Sequence, residues 1–107
     1  PHSIMVHRDG GVVYANDAVV ELLGAETKEQ VVGSHVNTFV PPEDYDDVAG
    51  AAARTQRGED TPTDRRRTVV GLDGTERYVE TTGRQIAYED GQAVLTVIQD
   101  VTDRRQF

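Results

Sequence analysis

Histidine, tyrosine and carboxylate side chains are this chain's candidates for acid–base or ligand chemistry, and it contains no cysteine and no tryptophan. Absence of cysteine removes disulfides, iron–sulfur clusters and thiolate metal sites in one step. The three histidines, His2, His7 and His35, are scattered. His2 lies near the chain start, His7 falls in a β-type run, and His35 opens the stretch before the longest helical segment. His35 reads either as a hydrogen-bonded wall or turn residue or as a polar contact to a small molecule, with metal ligation a third reading. Proton abstraction would need a buried acid with a shifted pKa beside an oxyanion donor. Tyr14, Tyr45, Tyr78 and Tyr88 are available, yet most Asp residues fall in turns or caps and no inward acid pairs with a tyrosine. The domain is therefore not expected to be catalytic.

Charge narrows the partners. Nineteen acidic residues against 11 basic ones give a net charge of −8, which disfavours the cationic neutralisation that nucleic acids require. Arg dominates the basic set and Lys28 is the single lysine. Such an acid-rich, lysine-poor surface suits a salt-loving source, and GC-rich coding would produce the same bias. The Arg65-Arg66-Arg67 run resembles a phosphate site but reads better as a solvated strand edge pairing with acids. No apolar run reaches the roughly 20 residues that span a bilayer, and no signal peptide is visible. Met5 sits behind Pro-His-Ser-Ile, so the chain reads as a piece of a longer protein. The domain is expected to be cytoplasmic and without membrane contact of its own, with a membrane anchor elsewhere in the parent left open.

At 107 residues, the whole of 1–107 reads as one domain. Ile4 to Arg8 and Val12 to Ala15 are β-type runs joined at Asp9-Gly10-Gly11. Asn16-Asp17 offers an N-cap for a short helix that Gly24 stops. Thr27 and Gln30 have capping-box spacing for a second. Pro42 with Glu43 and Asp44 starts a longer helix reaching Arg57, whose Tyr45, Val48, Ala49 and Ala52 share one face. Three β-type runs follow, with turns at Asp73-Gly74 and Asp90-Gly91. Strands at both ends of a helical middle imply an α+β domain with one antiparallel sheet.

Five segments in this order resemble the PAS family: RDGGVVYAN, LLGAETKEQVVGSHV, VPPEDYDDV, LDGTERYVETTGRQI and EDGQAVLTVIQDVTDRR. The resemblance covers nearly the whole chain. It implies a five-stranded sheet of order 2-1-5-4-3, with short helices and one longer helix over one face and a pocket between. It also implies a sensory or signal-relay role feeding a C-terminal effector of histidine-kinase or transducer type. Alternatives are a ligand-free dimerisation or protein-interaction module of a transcription regulator and, more remotely, a cone-shaped isomerase-like enzyme. Without cysteine the family's flavin adducts are excluded, and haem is not expected because the long helix lacks histidine.

The expected cofactor is thus none covalent, and any ligand is a small apolar or aromatic molecule. Small residues on the long helix, Ala49, Ala52 and Ala53, face strands carrying Val79, Thr81, Gly83, Leu95 and Val97. Either the helix packs closer to the sheet or a ligand fills the gap. The candidate pocket comprises His35, Asn37, Phe39, Val48, Ala52, Val79, Thr81, Leu95 and Val97, with His35 or Asn37 near a polar group. The resemblance assigns the exit of the last strand to signal relay through Asp100, Thr102 and Arg104 or Arg105. Both alternating sets of that strand are apolar, which predicts that its outer face is covered by a flanking helix or a second copy, giving a homodimer in the full protein.

Overall fold

The computed structural model describes residues 2–59 and 65–102. Asp9 (φ 53°) and Gly10 (φ 84°) reverse the chain between β1 (Ser3–Arg8) and β2 (Gly11–Ala15). Positive φ at both central residues matches the hairpin's turn to the twist of its strands. Asn16 then caps α1 (Asp17–Leu22). Its Oδ1 accepts from the backbone N–H groups of Val19 and Ile4, both at 3.0 Å, and its Nδ2 donates to the His2 carbonyl at 2.8 Å. One amide therefore closes a helix start and pins the first strand to it. Gly24 (φ 65°) ends α1, and the Ala25 N–H returns to the Val20 carbonyl at 3.0 Å.

A capping box at Thr27 and Gln30 does not form. Thr27 makes no side-chain cap bond, and Gln30 Oε1 accepts from the Glu26 N–H at 2.6 Å. The segment tightens into a single 3-10 turn, Lys28–Gln30, too short for the reciprocal pair. Two further 3-10 turns, Val36–Phe39 and Pro42–Asp44, lead into α2 (Tyr45–Gln56). Acids crowd the start of that helix, as its dipole favours.

The inward face of α2 is rotated from the expected one. Val48, Ala51, Ala52 and Thr55 turn toward the sheet, while Tyr45, Ala49 and Ala53 are exposed. Four alanines in five positions leave the hydrophobic period degenerate, so Thr55 decides the seam. Its hydroxyl donates to the Ala51 carbonyl at 2.8 Å, which lets a polar side chain be buried.

Strands β3 (Arg65–Val70), β4 (Glu76–Tyr88) and β5 (Gly91–Asp100) complete an antiparallel sheet of order β2-β1-β5-β4-β3. Asp73-Gly74 is the β3–β4 turn, with Gly74 at φ 83° and the Thr75 N–H donating to Asp73 Oδ1 at 3.0 Å. The next turn falls one residue earlier than expected. Tyr88 pairs with Gly91, so Glu89 (φ 53°) and Asp90 make the bend. Gly91 instead leaves its flank open to the Arg8 guanidinium, which donates to the Tyr88 and Gln92 carbonyls.

Register fixes which side chains share a face. Met5, Thr96 and Gly83 align across β1, β5 and β4 on the helix side, as do Ser3, Ile98 and Thr81. Ile4, Val97 and Thr82, with Val6, Leu95 and Arg84, align on the outer side. The core, including fully buried Val12, Val19, Leu23, Val31 and Val79, lies between the sheet and the helical segments.

Candidate functional site

Between α2 and the sheet lies a cavity of about 120 Å³. Val48, Ala51, Ala52 and Thr55 form its roof, and Phe39 and Val40 from the preceding turn close one end. Met5 and His7 of β1, Val94, Thr96 and Ile98 of β5, and Thr81 and Gly83 of β4 form the floor. Arg65, Arg67 and Val69 of β3 line the remaining side. Gly83 lies opposite Ala51 and Ala52, while Ala49 and Ala53, expected to face the strands, are exposed.

Of the expected pocket residues, Phe39, Val48, Ala52 and Thr81 come together at this cavity. Val79 is fully buried in the core without lining it. Leu95 and Val97 are a correction: they lie on the opposite face of the sheet, and Val94, Thr96 and Ile98 take the inward positions. A strand apolar in both alternating sets gives no sign of its facing, and a one-residue shift exchanges the faces. His35 is exposed and lies over Gly10, where its Nδ1 accepts from the Asn37 N–H at 3.0 Å. It caps the 3-10 turn rather than lining the cavity. Asn37 also lies off the cavity lining, with a buried Oδ1 that has no partner among the described residues.

The polar residue that the sequence reading passed over is His7. It is buried in the floor, and its Nε2 lies 3.2 Å from Thr96 Oγ1. Its Nδ1 is buried with no hydrogen-bond partner among the described residues. Burial first, and the nearby His35 second, push its pKa down from 6.5 to about 4, so the ring is neutral at pH 7. The signal was present in sequence: His7 lies two residues from Met5, on the same face of a strand. At the rim, Arg65 and Arg67 reach Asp47 of α2 at 3.8 and 3.4 Å, and Arg66 pairs with Glu80 at 3.2 Å. Among the described residues, no three His, Asp or Glu side chains are grouped to hold a metal ion.

A second polar cluster stands where β5 ends. Asp100 Oδ1 accepts from the Thr102 hydroxyl at 2.6 Å and from its N–H at 2.9 Å. Asp100 Oδ2 meets Arg77 Nη1 at 3.2 Å, and Thr102 Oγ1 accepts from the Tyr78 N–H at 3.0 Å. Partial burial opposes ionisation of Asp100, but the bonds from Thr102 and Arg77 outweigh it and hold the carboxyl below its ordinary range. Arg104 and Arg105, expected here, lie outside the described residues. Arg77 supplies an arginine from β4, two residues from Val79, the cross-strand partner of Asp100.

A family model for the PAS fold matches residues 3–106. The chain belongs to the PAS family. This PAS domain is 29% identical over 107 residues to sporulation kinase A of Bacillus subtilis, covering all of this chain and 18% of that protein. A PAS domain from Colwellia psychrerythraea superposes with a TM-score of 0.77 at 22% identity, covering 96% of this chain and 88% of the other. A domain of a sensory box sensor histidine kinase/response regulator from Geobacter sulfurreducens gives 0.75 at 21%, covering 92% and 82%. The likeness to these solved structures carries the fold, including the sheet order and the placement of the helices over one face.

Proposed function

We propose that this PAS domain is a non-catalytic, cytoplasmic input module that binds a small molecule non-covalently and relays its presence to a C-terminal effector. The observation that carries this reading is the cavity itself. A cleft of about 120 Å³ between α2 and the sheet, walled mainly by small and apolar side chains with His7 and Thr96 among them, is a space that a small ligand would occupy. Similarity to a sporulation kinase and to a histidine-kinase domain favours a kinase as the effector. No helix among the described residues is long and apolar enough to cross a membrane.

The relay runs through the Asp100–Thr102–Arg77 cluster, which ties the last strand to β4 at the point where the chain leaves the sheet. β5 carries both ends of the device: Val94, Thr96 and Ile98 in the cavity floor and Asp100 at the exit. Native mass spectrometry of the purified 107-residue chain tests the reading. A small molecule travelling with wild type and lost in Ala52→Leu supports it, and the bare mass in wild type saturated with candidate metabolites opposes it.

A second reading, a dimerisation module, rests on the outer sheet face. Ile4, Leu95 and Val97 are only half-buried there, and Tyr14 is 42% exposed beside Val6. The two readings are compatible, since the ligand cavity and this face lie on opposite sides of the sheet.

A further inference from the structure

His7 gives the cavity a chemical preference. The wall is mainly apolar, with Met5, Phe39, Val48, Val94 and Ile98 among its residues, and His7 is only 6% exposed within it. One ring nitrogen, Nε2, has Thr96 Oγ1 as its partner, and the other, Nδ1, has none. A neutral imidazole carries one N–H and one lone-pair nitrogen, and a threonine hydroxyl rotates to donate or to accept. Thr96 therefore suits either tautomer, which leaves Nδ1 as an N–H in need of an acceptor or as a lone pair in need of a donor. A hydroxyl group answers both.

Size and charge narrow the ligand further. A dry cavity of about 150 Å³ holds benzene, so about 120 Å³ takes a molecule of single-ring size. An ionised head group placed at His7 would lose its water against a neutral ring and apolar neighbours, which is costly. Of the cations that would offset this, Arg65 and Arg67 share one carboxylate, Asp47, on the β3 side of the cavity, at 3.8 and 3.4 Å.

We infer that the cavity selects a small, uncharged, ring-sized molecule through one hydroxyl group, with Nδ1 of His7 as the atom that reads it. This rests on the ligand-binding reading above and names the ligand class of that same site. His7 is a specificity residue and Thr96 its positioning residue, holding the ring through Nε2.

Phenol and toluene are matched probes, alike in shape and differing in the hydroxyl. Titration calorimetry on the 107-residue chain measures both against wild type and His7→Leu. The expected result is a phenol-to-toluene affinity ratio that falls by about tenfold or more in His7→Leu, the scale of leaving a buried polar group without its partner. Should that variant fail to fold, ¹⁵N NMR of the histidine rings in wild type decides. Phenol is expected to shift the His7 Nδ1 resonance and toluene to leave it unmoved. An unchanged ratio with toluene still bound overturns the selection by His7 while leaving the cavity as a ligand site. A His7 resonance unmoved by saturating phenol overturns it as well. Failure of both probes to bind wild type refutes the ring-sized ligand, and native mass spectrometry then judges the broader reading independently.

Discussion

Acidifying the domain is expected to cost stability through His7 before its carboxylates respond. In the folded state the ring resists protonation, with its pKa at about 4 against 6.5 when free. Between these values the unfolded chain binds more protons than the native one, so stability rises with pH. The contribution is fully present above pH 6.5 and is lost as pH falls toward 4. Converting the shift gives a loss of about 3 kcal/mol across that window. A typical domain has roughly 5–15 kcal/mol in total, so the effect is measurable. Urea unfolding at half-unit steps from pH 7.5 to 4 would follow it, with His7→Leu alongside. Asp100 and Asp73, whose carboxyls are held low by hydrogen bonds from Thr102 and Thr75 against their desolvation, lose their contributions mainly below pH 4. Both also remain in the variant, so they drop out of the difference. The wild-type curve is expected to fall more steeply than that of His7→Leu. Parallel curves through the window would refute the claim that His7 is buried as a neutral ring.

Ala52→Leu should fill the cavity beneath α2 and abolish binding of phenol and toluene in calorimetry while leaving the circular dichroism spectrum unchanged. Asp100→Ala in the full-length protein should make output independent of the stimulus and lower the unfolding free energy by only about 1–2 kcal/mol, since the solvent-facing pair with Arg77 contributes little and the bonds from Thr102 are the main loss. Normal stimulus dependence in a kinase assay would oppose the relay. Asn16→Ala should destabilise by about 1–2 kcal/mol in denaturant titration, since a cap and two ties to the first strand are lost together. Leu95→Glu on the outer face should shift a dimer of a longer protein toward monomer in sedimentation, with little change in probe binding.

Segments with local signals were legible in the sequence. Asn16, Gly24, Asp73-Gly74 and the acidic start of α2 each act through neighbours in sequence, and each stands where the residues indicated. Sheet order followed from the family resemblance and not from any residue pattern. Facing was harder. In β5, Val94 and Ile98 are no more apolar than Leu95 and Val97, so only pairing with β1 and β4 shows which set meets the helix. The alanines of α2 hid its seam for a related reason. His7 escaped notice because its role depends on Thr96, 89 positions away in sequence, which only the β1–β5 ladder brings beside it.

The neighbouring placement of β1 and β5 at the middle of the sheet has a bearing on how the domain is made. Ser3 pairs with Ile98, so the ladder that joins the two halves closes a loop of nearly the entire chain. Neither hairpin, β1–β2 nor β3–β4, has a central strand to lean on until β5 emerges, and such distant pairing slows folding. During synthesis β1 therefore waits with one side unpaired until β5 is made, a state open to misassociation. Truncation before Gly91 should yield not a smaller domain but two orphaned hairpins. The effector proposed above would consequently be tied to a domain that becomes whole only in its last strand, the strand that also leads to the exit.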